Sequence, residues 1–450
     1  MLSPVRPVEN LPCYSLFEVC AATLIFTRRD LFFHDPGLTV GPASDRSQPL
    51  AGNSLTSDTL ASPDHPTRQI LLLMAFRFTR TLSAGMLAII FPYYVLRYLN
   101  YGPLILGLLY TAATLATAAL ALFFGYLADL WGRKGTLLIA GIILPLSMLL
   151  AFASGRLPFL FAAAMLGGFS ATGARASGSA GGAAQPIQIA VIADLTTLRN
   201  RTFYFSILTF TGGLFGALGM LMARLFDVRA AFLVAAAISG AGVLLILPMK
   251  LSSPRAVNSG LKSLKTIGKF SLTGAINGIS QGLLMPFLIP FFLIVYHVPR
   301  PHMAVYGFFS ELISSAALLI APHIERNFGF VKGVAYTRGL GALLLLLLPL
   351  THAFKLALFV YLVTPALRVM AVPAQQTALT AMVRDDEMGR ALGMSQVARL
   401  TASSGAVAFT GYMFDVSDIA LPFYAYAAVI AFSLVLYFHF FGSRPDLRPD

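Results

Sequence analysis

The sequence predicts an all-α membrane protein with twelve transmembrane helices in two pseudo-symmetric six-helix bundles. Three observations carry this. Of 450 residues, 57% are apolar and only 11% charged, against about 25% charged in an ordinary soluble domain. From Gln69 onward the apolar residues fall into twelve runs, most of them about as long as a helix needs to cross a ~30 Å hydrocarbon core. The longest polar stretch after residue 68, KLSSPRAVNSGLKSLKT at 250–266, divides those runs six and six.

Residues 1–66 stand apart from the runs. They mix Pro, Ser, Asp and Thr, a composition expected of a disordered extension. The apolar stretch Leu11–Phe26 is short and interrupted by Glu18, with neither a basic start nor an A-x-A site, so it does not read as a signal peptide. Cys13 and Cys20, the two cysteines of the chain, both lie here, so no disulfide framework or zinc spacing is expected.

The runs cover roughly 69–96, 103–124, 136–154, 158–192, 202–226, 229–249, 267–295, 303–322, 331–350, 354–382, 391–413 and 418–441. The fourth is too long for one crossing, and its Gly-, Ala- and Ser-rich middle implies either a bent helix or a loop. The divisions expected are an N-terminal bundle at 67–249, a linker at 250–266, a C-terminal bundle at 267–442 and a tail at 443–450.

The formal charge of +13 does not point to nucleic acid, because the basic residues lie between apolar runs. One set of connections holds fifteen (Arg133, Lys134, Arg199, Arg201, Lys250, Arg255, Lys262, Lys265, Lys269, Arg326, Lys332, Arg384, Arg390, Arg444, Arg448). The alternate set holds five (Arg97, Arg156, Arg229, Arg300, Lys355). Lys and Arg concentrate in cytoplasmic loops, which puts both termini in the cytoplasm and the chain in the cell membrane.

An internal repeat supports the six-and-six division. PIQIAVIADLTTLRNR at 186–201 resembles PAQQTALTAMVRDDEMGR at 373–390, and FDV at 226–228 recurs at 414–416, with offsets of 187 and 188 residues. Parallel repeats of six helices mark transporter folds with the solute site between them.

The second run is followed by Gly125-Tyr126-Leu127-Ala128-Asp129-Leu130-Trp131-Gly132-Arg133-Lys134. On chemistry alone, Gly125 is expected to allow close helix packing and Gly132 a tight turn. Asp129, Arg133 and Lys134 can pair with one another and with helix ends. The spacing strongly resembles the loop signature of the major facilitator superfamily, G-x-L-a-D-r-x-G-R-K, with a departure at Leu130, usually basic. The stretch Pro322–Lys332 resembles the degenerate second copy of that loop. The resemblance covers about residues 69–442. It implies alternating access by two rocking bundles, with the loop at 125–134 latching one state. A second motif, the G-x-x-x-G-P-x-x-G-G of antiporter members, is matched only by Gly212, Gly213, Gly216 and Gly219 without its proline, and close packing explains such glycines equally well.

Charges at membrane depth ask for a reason. Among carboxylates only Glu311 falls near mid-span, where it is either a proton-exchanging group or a structural glutamate. Arg77 and Arg80 lie three residues apart in the first span and are expected to share roughly one face, meeting an anion, snorkelling or pairing with loop carboxylates. Arg368 and Arg399 lie within spans ten and eleven; Arg175 falls in the irregular fourth run. Arg224 and Arg338, near span ends, read as anchors. By the resemblance, Arg77, Arg80, Glu311, Arg368 and Arg399 come from helices that line the central cavity. So do Asn277, Gln281, Gln188, Gln375 and Gln376, and Arg368 is the expected partner of Glu311. Pro92 and Pro290 occupy equivalent points of spans one and seven. The aromatics after them, Tyr93, Tyr94, Phe291 and Phe292, read as interface-belt residues or an extracellular gate, with the belt preferred.

No H-E-x-x-H, G-x-S-x-G or Walker loop occurs, and the seven histidines are scattered, so neither an enzyme nor a metal or cofactor site is expected. The expected partners are a small-molecule solute, the lipid bilayer and a proton or other ion gradient, with the chain acting as a monomer. The function that follows is secondary transport of a small organic solute, proton-coupled and favouring efflux. The alternatives are uptake or exchange of an anion held by the cavity arginines, and a transport-inactive sensor.

Overall fold

A computed structural model describes residues 66–167, 184–196, 198–251, 264–351, 353–382 and 388–441, and among these the regular structure is helical throughout. In chain order the helices are α1 (Pro66–Tyr93), α2 (Pro103–Trp131), α3 (Arg133–Ala153), α4 (Leu157–Met165), α5 (Gln185–Leu195), α6 (Leu198–Met222) and α7 (Val228–Leu244). They continue with α8 (Leu264–Leu284), α9 (Leu288–Val295), α10 (Arg300–Leu350), α11 (Phe354–Met382), α12 (Met388–Asp415) and α13 (Leu421–Phe441). Among the described residues, eight helical stretches are long and apolar enough to cross a membrane, and Ile207–Met222 and Val228–Leu244 are shorter apolar helices. The middle of the fourth run, Arg175 included, lies outside the described residues.

Proline shapes spans one and seven, the first near Pro92 as anticipated, the seventh at Pro286 rather than at Pro290. Pro92 sits in the last turn of α1, and the chain continues as a π-turn, Tyr94–Tyr98, with Leu99 N–H donating to the Tyr94 carbonyl at 2.9 Å. Proline removes an intrahelical donor, and widened turns of this kind absorb the loss. In the equivalent span the helix breaks at Met285–Phe287, a 3-10 turn containing Pro286, before α9 resumes with Pro290 inside it. The two runs at 303–322 and 331–350 are separate helices, both within α10 (Arg300–Leu350), that meet at a kink at Gly329, where the backbone leaves helical geometry.

The packing falls into two similar groups. In one, α1 lies on α6 and α7, and α3 on α7; in the other, α8 lies on α12 and α13, and α10 on α11. Glycines set the close approaches. A β-carbon on Gly219 would strike the Leu82 carbonyl, and one on Gly85 the Gly216 carbonyl, joining α1 to α6. Gly278 and Gly282 of α8 stand in the same relation to the Arg399 and Ser403 carbonyls of α12. Small residues that let backbones touch are the usual device where lipid removes any hydrophobic drive for helices to associate.

Between the groups, α2 packs on α12 and α6 on α10. The contacts concentrate at the end of the molecule that carries Tyr98. There a single apolar core runs across both groups, taking Met86, Ile89, Phe91 and Tyr110 from one and Phe287, Phe292, Val407 and Phe414 from the other. At the opposite end, which carries the Gly132 turn, the apolar core among described residues is built from Ile70–Met249 alone.

Candidate functional site

Gly132 supplies the turn between α2 and α3 at φ 86°, ψ 155°, a conformation confined to glycine. Gly329 reaches φ 74°, ψ 168° at the corresponding point of the second group. The Thr136 hydroxyl donates to the Gly132 carbonyl at 3.0 Å, and Lys134 Nζ donates to the Leu247 carbonyl at 2.7 Å, tying the turn to the end of α7. Lys134 thus meets a helix end, one of the partners anticipated for it. The expectation for Gly125 fails: a β-carbon there would meet nothing within 4 Å, so close packing does not account for it. The side chain of Asp129 lies outside the described residues.

At the Tyr98 end a seal joins the two groups. The Tyr93 hydroxyl donates to the Val298 carbonyl. Arg97 Nη2 donates to the Leu293 carbonyl at 3.3 Å and lies 3.1 Å from His297 Nδ1. Leu104 N–H donates to Asp415 Oδ1 at 3.3 Å, and the Thr111 hydroxyl to the Ser404 carbonyl at 3.1 Å. Four rings, Phe91, Tyr110, Phe287 and Phe414, run in edge and tilted contact across the join. Tyr93, Tyr94, Phe291 and Phe292 are all buried, so the belt reading gives way: these rings fill the seal and its surroundings and do not face lipid headgroups. Helix periodicity cannot reveal this, because lipid and core are equally apolar.

Below the seal lies Glu311 on α10. It is partly buried, and a β-carbon on Gly216 of α6 would stand 4.0 Å from its Cγ and equally far from the Thr81 carbonyl of α1. One turn along α10, Ser315 faces Gly213 of α6. Glu311 therefore occupies the join between the two groups, at the level of Thr81. The stacked rings of Phe78 and Phe215, 4.3 Å apart and 8° from parallel, bind α1 to α6; sequence reading did not single them out, and only their aromatic character marks them.

The arginines divide. Arg77 donates to Gln188 Oε1 on α5 at 3.0 Å. Arg80 donates to the Ala140 and Gly141 carbonyls of α3 at 3.1 and 3.3 Å and lies over the Phe76 ring. Both are buried, and from neighbouring positions on α1 they reach different helices, α5 and α3. Arg338, read as an anchor, is buried as well, 3% exposed, with its guanidinium over the Tyr437 ring. Arg224 is exposed, as an anchor would be.

Arg368 does not meet Glu311. Its Nη2 donates to the Asn277 carbonyl at 3.4 Å, it bonds the Tyr426 hydroxyl, and the other charges acting on it are Arg338 and Arg399. Arg399, partly buried on α12, reaches Gln281 Oε1 at 3.5 Å and Gln396. Asn277 and Gln281 are buried on one face of α8. The side chains of Gln375 and Gln376 lie outside the described residues. Each arginine held at membrane depth costs roughly 2.5–3.5 kcal/mol on insertion scales, so the buried Arg77, Arg80, Arg338 and Arg368 demand compensation.

Two groups of helices sealed at one end, with Glu311 and Ser315 along the join, form the plan of an alternating-access carrier. The sequence profile of the Major Facilitator Superfamily matches residues 73–404. The chain belongs to that superfamily. It is a membrane transporter rather than an enzyme. No curated protein matches it. Solved structures share its fold at low identity. The nucleoside transporter NupG, in a mutant form, superposes with TM-score 0.68 at 14% identity, covering 83% of this chain and 100% of NupG. The D-xylose–proton symporter gives 0.64 at 15%, covering 83% and 97%. The human organic anion transporter MFSD10 gives 0.62 at 13%, covering 83% and 99%.

Proposed function

We propose that this superfamily member moves a small organic solute across the cell membrane in exchange for protons, with Glu311 as the proton carrier. The observation that carries the reading is the place of Glu311. It is a mid-span carboxylate beside Gly216 at the join between the two groups, where opening and closing change its surroundings. A carboxylate whose proton affinity differs between two conformations couples proton movement to the conformational change.

Residues 67–249 and 267–442 are the two moving bundles in this reading, joined by 250–266. The fifteen-to-five distribution of basic residues supports a cytoplasmic Gly132 end and cytoplasmic termini. The sealed Tyr98 end then faces outward, and in this reading the solute enters the join beneath it from the cytoplasm, the first step of export. The turn at Gly132, tied to the end of α7 through Lys134, is the latch that closes the cytoplasmic side in the other state.

The test is transport by purified protein in liposomes with an imposed pH gradient. A solute that moves against its own gradient only when protons flow the other way supports the reading. Solute movement indifferent to the pH gradient contradicts the coupling.

A further inference from the structure

The transport reading leaves the chemistry of the solute open, and the second group of helices narrows it. We infer that the solute is an organic anion whose carboxylate or phosphate group seats between Arg368 and Arg399, with Arg338 behind them. The inference rests on the transport reading for the word solute, but the site stands on its own geometry.

Arg368 and Arg399 come from different helices and converge on one face of α8. Their contacts with α8 are the Asn277 carbonyl and the Gln281 side chain, four residues apart, which is about 6 Å along a helix, while Arg368 also bonds the Tyr426 hydroxyl and Arg399 also bonds Gln396. Both contacts are long, 3.4 and 3.5 Å, at the edge of what counts as a hydrogen bond. A charged acceptor forms shorter and stronger bonds and displaces such contacts readily.

The donors to receive it are in place. Arg368 Nη1 and Arg338 Nε and Nη1 are buried with no hydrogen-bond partner. Arg368 is 7% exposed and Arg338 3%. Arg338 belongs to α10, which packs on α11, the helix of Arg368, and on α13, the helix of its partner Tyr426. Buried charge of one sign, unmatched by a carboxylate among the described neighbours of Arg368, is costly unless a counter-charge arrives. In the first group Arg80 donates to two backbone carbonyls of α3.

Access comes from α12. Ser395 to Arg399 are all partly exposed, toward the end where no common core joins the two groups among the described residues. Arg399 is thus the residue an entering anion meets first, and Arg368 the deeper one. The planar fork of guanidinium suits a carboxylate or phosphate held by two parallel bonds.

The experiment is thermal stabilisation of the full-length protein by matched pairs of compounds: benzoate against benzamide, succinate against succinamide, and glycerol phosphate and inorganic phosphate against glycerol. The inference expects at least one acid to raise the melting temperature while its neutral partner does not. The carboxylate and phosphate arms separate the two acid types. Arg399→Gln, at a partly exposed position, should melt like the parent without ligand and lose about 30-fold or more in affinity for that acid. Arg368→Gln should lose it as well, and Arg368→Lys should not restore it. The inference is overturned if no acid stabilises the protein, if acids and neutral partners act alike, or if Arg399→Gln keeps the parent affinity. Neutral solutes that drive proton exchange in liposomes while no acid binds would leave the transport reading standing and remove this site alone.

Discussion

Gly107 of α2 and Gly411 of α12 lie so close that a β-carbon on either would come within 2.8 Å of the other's Cα. The two groups of helices therefore touch backbone to backbone at the Tyr98 end, and nothing larger than hydrogen fits between them. Overpacking a tight contact costs about 1–3 kcal/mol, and this contact lies within the sealed end. Gly411→Leu should shift the balance toward the state open there by roughly fivefold to a hundredfold, an energy conversion at 1.4 kcal/mol per factor of ten. Labelling a cysteine placed at Ser404, whose carbonyl accepts from Thr111 in the seal, reads this shift directly. Parent-like labelling of Ser404→Cys in the Gly411→Leu background would show that the glycine pair does not control closure.

The turn glycines give a second prediction. Gly132 and Gly329 adopt nearly the same left-handed, extended conformation, φ 86° and 74°, at matching points of the two groups. A side chain in that region costs about 1–3 kcal/mol. Gly132→Leu should lower the transport rate several-fold while leaving the amount of protein in the membrane near that of the parent. Asp129→Asn should act in the same direction. Unchanged initial rates in both variants would remove the latch from the account.

Much of this architecture was legible from residues alone. The loop at 125–134 carried the superfamily resemblance, and the helical membrane-spanning character and the closely packed glycines of α6 followed from composition and spacing. What stayed hidden has a common cause. In a membrane protein the outside is as apolar as the inside, so periodicity does not tell a lipid-facing position from a core one. The aromatics Tyr93 and Phe292 read as belt residues for that reason, yet they are buried at the seal. Arg338 read as an anchor because it lies near a span end, yet its guanidinium is tucked over Tyr437 inside the second group. Arg77 and Arg80 are three residues apart, and their long side chains still reach different helices, α5 and α3. The partner assumed for Glu311 was chosen by family geometry, and Arg368 turns instead to Asn277 and Tyr426.

That difference between arginines is itself testable. Arg80 donates to two carbonyls inside the first group. Its loss should destabilise the fold by about 1.5–3 kcal/mol, the range for hydrogen bonds to a charged group. Arg80→Gln should lower the melting temperature by several degrees whether or not solute is present. A variant that melts like the parent but transports poorly would move Arg80 from scaffold to site.

Orientation follows from charge and needs its own check. A cysteine at Ser253, in the polar stretch 250–266, should be shielded from an impermeant reagent added to intact cells and react once the membrane is opened. Reaction in intact cells would invert the topology and, with it, the assignment of the sealed end to the outside.

The central claim is that Glu311 links solute to proton, and Glu311→Gln tests it most directly. The amide keeps the shape of the side chain beside Gly216 but cannot take up or release the proton. In liposomes the variant should still exchange labelled solute for unlabelled solute at a rate within a few-fold of the parent. It should fail to accumulate solute when a pH gradient is imposed, because binding and the conformational step survive while their coupling does not. Accumulation by Glu311→Gln equal to that of the parent under the same gradient would contradict the account.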